Sequence, residues 1–329
     1  MVPLIALLSL SFDSREVKFP GVDGVVLNGT LLLPARAKNV PAVVLLPGSG
    51  PTDRDGNSLA AGLRTDLLKS IAERLANDGI ASVRFDKRAT PGYRSVWPKT
   101  IPEINKFFRM EAFSGDADGA IKFLRSQPGI DPKRVGMIGH SEGSLYTLQL
   151  ADKYASTSTP LRAIVSLSGV ARPMDAVIMD QLRLKLPQQL PANQVQTYLT
   201  YAESALKAAK EDKPFPPNCP PGLQGLFNGT VQSIMHGYTT AEPVRWARGF
   251  RGPALVVNGE FDNQVSPTKD AQVLFDALKS RKRAVSELFL VPKASHNLKV
   301  SPSFTADTFD GPVAPGVLDR ISGFLKKNL

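Results

Sequence analysis

The sequence predicts an α/β fold: a mostly parallel sheet of about eight strands flanked by helices, with a helical insertion after the sixth strand. Three observations predict it. From residue 41 onward, short apolar runs rich in β-branched residues alternate with amphipathic stretches. Continuous apolar strands are those buried on both faces, and each parallel pairing needs a crossover that returns across a face. The alternation stops after Gly169 and resumes near Pro253. Finally, 329 residues, 42% of them hydrophobic and 21% charged, exceed one ordinary domain yet fit one α/β core carrying an accessory segment.

Taken in order, REVKFPGVDGVVLNGTLLLP (15–34) reads as two antiparallel strands joined by a turn of glycine and aspartate. PAVVLLPG (41–48) is the next strand, and SLAAGLRTDLLKSIAERLANDG (58–79) an amphipathic helix ending at Gly79. IASVRFDKR, RVGMIGHS and LRAIVSLSG continue as strands, separated by the helices MEAFSGDADGAIKFLRSQ and EGSLYTLQLADKYA. The insertion, residues 171–250, holds the helical stretches DAVIMDQLRLKL and NQVQTYLTYAESALKAAKED and then the proline-rich KPFPPNCPPGLQG. PALVVNGEFD and AVSELFLVPKASH are the last two strands, with SPTKDAQVLFDALKSRK and PGVLDRISGFLKKNL as helices. The core therefore comprises 15–170 and 251–329.

The first 14 residues are apolar but too short to span a bilayer. They resemble the apolar part of an export signal without its basic flank or cleavage site, and equally a buried N-terminal strand. No other stretch reads as membrane-spanning, and neither compartment nor oligomeric state is legible. Forty Lys+Arg against thirty Asp+Glu give a net charge of +10. The cations are scattered, and no basic stretch with interleaved aromatics marks a nucleic-acid surface. One cysteine, Cys219, excludes an internal disulfide. The three histidines, 140, 236 and 296, form no HExxH and sit beside no CxxC, so no metal is expected.

Chemistry concentrates at Gly139-His140-Ser141-Glu142-Gly143. The pattern alone fits a tight turn; its setting between the strand RVGMI and the helix SLYTL fits a nucleophile elbow. There, glycines two before and two after the serine let strand and helix approach closely. A serine hydroxyl needs a base, and the base needs a third group to fix its tautomer. His296 follows the last strand and Asp262 the one before it, giving the order Ser141, Asp262, His296. Glu260 is the rival acid. His140 is expected to pack at the elbow and His236 at most to line a pocket. The oxyanion calls for two backbone N–H donors. Glu142, next to the nucleophile, offers one, and in LLPGSGPTDRDGN Ser49 offers the other, with Gly50 as the alternative.

LLPGSGPTDRDGN, VRFDKR, GHSEGS and NGEFDNQV together resemble the α/β-hydrolase superfamily, and within it bacterial esterase D-like carboxylesterases. Serine aminopeptidase-like hydrolases and acyl-CoA thioesterase/acyltransferase C-terminal domains are similar as well. The resemblance implies a Ser141–Asp262–His296 triad, an acyl-enzyme and no cofactor. It implies a small-molecule ester substrate, with short to medium acyl groups; peptidase, amidase or thioesterase activity would use the same triad, and a non-catalytic binding protein would keep only the fold. It makes residues 171–250 a cap, in which Phe215, Phe227, Met235 and Tyr238 line the pocket or form the cap's own core. Asp53, Arg54 and Asp55 fall in the loop after the oxyanion segment. Asp86, Lys87 and Arg88 follow the fourth strand, where Ala89 and Pro91 depart from the glycines of relatives. These charged residues read as ion pairs bracing the loops, with substrate contact as the alternative.

Overall fold

The computed structural model describes residues 12–281 and 284–329. Nearly all of the apolar N-terminal segment, and Lys282 and Arg283 of the basic cluster, thus lie outside the described residues. In chain order the elements are β1 (Phe12–Pro20), β2 (Val26–Pro34), β3 (Val40–Leu46), α1 (Leu67–Asn77), β4 (Ala81–Phe85), α2 (Ile101–Phe107), α3 (Met110–Arg125), β5 (Ile130–His140), α4 (Glu142–Tyr154) and β6 (Ile164–Leu167). Then come α5 (Met174–Gln189), α6 (Ala192–Lys210), α7 (Gln232–Thr240), α8 (Pro243–Gly249), β7 (Ala254–Gly259), α9 (Gln272–Lys279), β8 (Ser286–Val291) and α10 (Val317–Asn328).

The eight strands form one sheet in the order β1-β2-β4-β3-β5-β6-β7-β8. β2 pairs antiparallel with both β1 and β4, and every pairing from β4 through to β8 is parallel. Alternate residues of a strand point to opposite faces, and here both faces are covered. Val44 and Leu46 of β3 join the core beneath α3, α4 and the insertion, whereas Val43 and Leu45 join the core beneath α1 and α10. That is the physical reason the central strands read as unbroken apolar runs.

One expected helix is shorter than its amphipathic pattern. Residues 58–66 do not continue α1 but form a loop with a short 3-10 turn at Leu59–Ala61. Asn57 holds the loop: its side-chain oxygen accepts the Thr65 N–H at 2.7 Å and the Asp66 N–H at 2.8 Å. Gly62 and Asp66 then take positive φ, 70° and 45°, which an α-helix does not tolerate.

Between β6 and β7 the chain builds α5, α6 and α7 before α8, which packs on α4 and α9 and completes the crossover to the next parallel strand. The inserted helices are tied to the core at Asp270. This fully buried carboxylate accepts the Ala171 and Arg172 N–H groups and holds the Arg172 guanidinium at 2.8 Å; Arg172 also reaches Asp180 of α5. No helix among the described residues is long and apolar enough to cross a membrane.

Candidate active site

β5 ends at His140 and α4 starts at Glu142, so Ser141 alone makes the turn. Its φ of 53° and ψ of −117° lie outside the regions a non-glycine residue ordinarily adopts. The surroundings enforce this conformation. A Cβ on Gly143 would stand 2.5 Å from the Leu46 carbonyl oxygen, and one on Gly139 would collide with the Gly143 carbonyl. The Ser141 N–H is spent on the Leu167 carbonyl of neighbouring β6 at 2.9 Å. The close approach of β3, β5 and α4 therefore leaves room for glycine on both sides and turns the serine outward.

Asp262 and His296 come from the loops after β7 and β8. These loops are stitched together by Glu260 N–H to the Val291 carbonyl at 3.0 Å and Phe261 N–H to the Ala294 carbonyl at 2.9 Å. Asp262, 1% exposed, accepts the N–H groups of Gln264 and Val265 at 2.9 and 2.8 Å, which fixes its carboxylate. Its two oxygens lie 2.9 and 3.1 Å from His296 Nδ1. Glu260 is exposed and accepts the Lys293 N–H instead. Ser141 and His296 line one cavity of about 130 Å³ with Gly48, Ser49, Gln264 and Asn297.

Ser49 also belongs to that lining, whereas Gly50, with φ of 77°, lies outside it. The Ser49 carbonyl accepts the Thr52 hydroxyl at 2.7 Å, which braces the loop. Glu142 occupies the first position of α4, where a helix leaves its N–H groups without internal partners. Further along, Arg54 clasps Asp86 with Nη2 2.7 Å from one carboxylate oxygen and Nε 3.1 Å from the other. Arg84 pairs with Asp55 at 2.6 Å, and the fully buried Arg88 with Asp116 at 2.6 Å. The two charged tripeptides thus lock the loops after β3 and β4 to the sheet and to α3.

Two groups have partners that the sequence does not show: His140, expected to pack at the elbow, and Lys87, expected among the ion pairs that brace the loops. His140 Nε2 lies 3.0 Å from the backbone carbonyl of His296, whose oxygen also accepts the Ser168 hydroxyl at 2.9 Å. The two imidazole rings are 4.9 Å apart. Burial, with His296 beside it, depresses His140 to a pKa of about 4, so the ring is neutral and Nε2 is the donor. Lys87 is the second: its ammonium is buried against the Glu142 carboxylate at 2.8 Å. Adjacency to Ser141 was a signal for His140, but the partners of Lys87 are 39 and 55 residues away in sequence. The remaining histidine, His236, bonds the Ala209 carbonyl at 2.9 Å inside the insertion and does not line the cavity.

The sequence model of the family described as BAAT / Acyl-CoA thioester hydrolase C terminal matches residues 117–309. The chain belongs to this family. The match runs from α3 through the loops of Ser141, Asp262 and His296. As a BAAT / Acyl-CoA thioester hydrolase C-terminal domain, the chain is similar to Esterase EstD of Thermotoga maritima, 27% identical over 82% of this chain and 57% of that protein. It is also similar to Thiohydrolase apmlB of Arthrinium phaeospermum, 32% identical over 42% of this chain and 38% of that one. The chain thus spans less than two thirds of either relative. Among solved structures, a Pyrococcus furiosus esterase superposes with a TM-score of 0.58 at 16% identity, covering 100% of this chain and 96% of its own. A Pyrococcus horikoshii acylaminoacyl peptidase superposes with a TM-score of 0.57 at 16% identity, covering 97% of this chain and 42% of its own. The shared architecture is the α/β-hydrolase fold.

Proposed function

We propose that the chain is a serine carboxylesterase in which Ser141 is the nucleophile, His296 the general base and Asp262 the group that orients it. The observation carrying this reading is the buried Asp262 carboxylate 2.9 Å from His296 Nδ1, at the cavity that Ser141 also lines. With Nδ1–H held by Asp262, Nε2 is free of a proton and takes the one on Ser141 as its oxygen attacks the ester carbonyl. The tetrahedral oxyanion is met by the N–H groups of Ser49 and Glu142. His296 then protonates the departing alcohol. A water deprotonated by the same ring attacks the acyl-enzyme, and Ser141 recovers its proton as the acid leaves. A cavity of about 130 Å³ supports short acyl groups over long ones. Residues 171–250 act as the cap in this reading, with their large apolar residues packed away from the cavity: Phe215 and Phe227 pack edge-on with ring centroids 5.5 Å apart, and Phe227, Met235 and Tyr238 are buried in the main apolar core.

Thioester hydrolysis is the second reading, favoured by the family description and by the thiohydrolase relative. Wild type and Ser141→Ala should be compared on p-nitrophenyl acetate and butyrate, short acyl-CoA thioesters and aminoacyl p-nitroanilides. The expected result is turnover of p-nitrophenyl esters that falls by about 10⁴-fold or more in Ser141→Ala with its melting temperature retained. Undiminished turnover in that variant overturns the serine mechanism. Acyl-CoA turned over far faster than esters selects the second reading.

A further inference from the structure

The carboxylate of Glu142 and the ammonium of Lys87 stand out among the buried charges, because together they touch both segments that supply the oxyanion donors. Lys87 Nζ lies 2.8 Å from Glu142 Oε2 and donates to the Gly48 carbonyl at 3.0 Å. The Gly48 carbonyl and the Ser49 N–H belong to one planar trans peptide and point in opposite directions. A cation gripping that oxygen from the protein interior therefore turns the Ser49 N–H outward, and Ser49 is a residue of the cavity wall. The other end of the ammonium holds the side chain of the residue whose own N–H opens α4. The second Glu142 oxygen accepts the Tyr146 hydroxyl, and Tyr238 of α7 interacts with the same carboxylate.

We propose that Lys87 and Glu142 are positioning residues: a buried ion pair that fixes the two oxyanion donors, Ser49 N–H and Glu142 N–H, relative to each other. This rests on the serine mechanism above and adds to it. Neither side chain lines the cavity, so each acts through a backbone N–H and not on substrate. Stability alone does not account for the pair, since a buried ion pair is often no better than well-packed apolar residues of equal volume. Catalysis does, because donors aimed in advance at the developing charge need no reorganisation when the transition state forms.

The test uses Lys87→Met/Glu142→Gln, which removes both charges and strands neither, and Tyr146→Phe, which removes one hydroxyl from the Glu142 carboxylate and leaves the pair. The readouts are kcat and KM on p-nitrophenyl butyrate, the inhibition constant of an alkyl boronic acid that forms a tetrahedral adduct on serine, and the melting temperature. The double variant is expected to lose about 10- to 100-fold in kcat with KM within about threefold, and to lose boronate affinity by the same factor as kcat. Tyr146→Phe is expected to show the same parallel loss, smaller, at an unchanged melting temperature, and it decides the matter if the double variant does not fold. Wild-type kcat and boronate affinity in a folded variant overturn the proposal and leave the serine mechanism standing. A fall in kcat accompanied by KM and melting temperature, with boronate affinity kept, overturns it as well. Turnover that survives Ser141→Ala overturns both.

Discussion

His140 carries no charge near neutral pH, and that neutrality has a cost that appears on acidification. Its imidazole is buried and titrates near pH 4 when folded, against an ordinary value of 6.5 in the unfolded chain. The unfolded state binds the extra proton between those values, so His140 contributes its full stability above about pH 6.5 and loses it as the pH falls towards 4. The contribution is about 3 kcal/mol. His140→Gln, which keeps an N–H for the His296 carbonyl but does not titrate, is expected to flatten the pH dependence of urea unfolding across that window; a slope equal to wild type would refute the assignment. Ser141, Asp262 and His296 could be picked out in the sequence as the proposed triad because that chemistry asks for each residue type after a strand's C-terminal end, and the structure brings Asp262 against His296. Lys87 could not be: in sequence it reads as one of three charges in Asp-Lys-Arg, and only burial against Glu142 separates it from its neighbours. Glu142 was noted for its N–H alone, since nothing in a linear pattern says where a carboxylate points.

The turn from β5 to α4 is one of the places where the backbone is under close steric demand. Its serine is held at positive φ, and the glycines around it sit where any side chain would strike backbone. Gly143→Ala is expected to destabilise the protein by about 2–4 kcal/mol and to lower kcat, because relief of the contact with the Leu46 carbonyl must move either α4 or β3. Urea denaturation alongside ester kinetics would measure both. The parallel strands and their helices were readable because apolar runs covered on both faces carry a strong signal. The start of α1 was not readable, because SLAAGLRTD is amphipathic enough for a helix while the side chain of Asn57, a single residue upstream, captures the N–H groups of Thr65 and Asp66. Local pattern lost there to one tertiary hydrogen-bonding group.

Asp270 is a fully buried anchor between the inserted helices and the core, beside the apolar packing of α7 on α2 and α3. Asp270→Ala removes the acceptor for three backbone N–H groups, those of Ala171, Arg172 and Ser266, and leaves the Arg172 guanidinium with Asp180. A loss of about 3 kcal/mol is expected, with faster proteolytic cleavage within residues 174–250 than in the rest of the chain; cleavage spread evenly over the chain would argue against a local anchor. The break in alternation after Gly169 marked the stretch in which α5, α6 and α7 lie between β6 and β7. Whether its apolar residues face the cavity of Ser141 was not legible, since Phe227, Met235 and Tyr238 are apolar or aromatic either way; packing directs them into the main core. From there Tyr238 reaches the start of α4, beside Glu142. The ion pair found there bears on how a reaction ends. A solitary ammonium at that depth would attract the newly formed acid and hold it in the cavity. In the proposed mechanism, with Glu142 at 2.8 Å offsetting its charge, Lys87 would exert little pull on the departing anion, and the contact proposed to steady the donors would also let the product diffuse away.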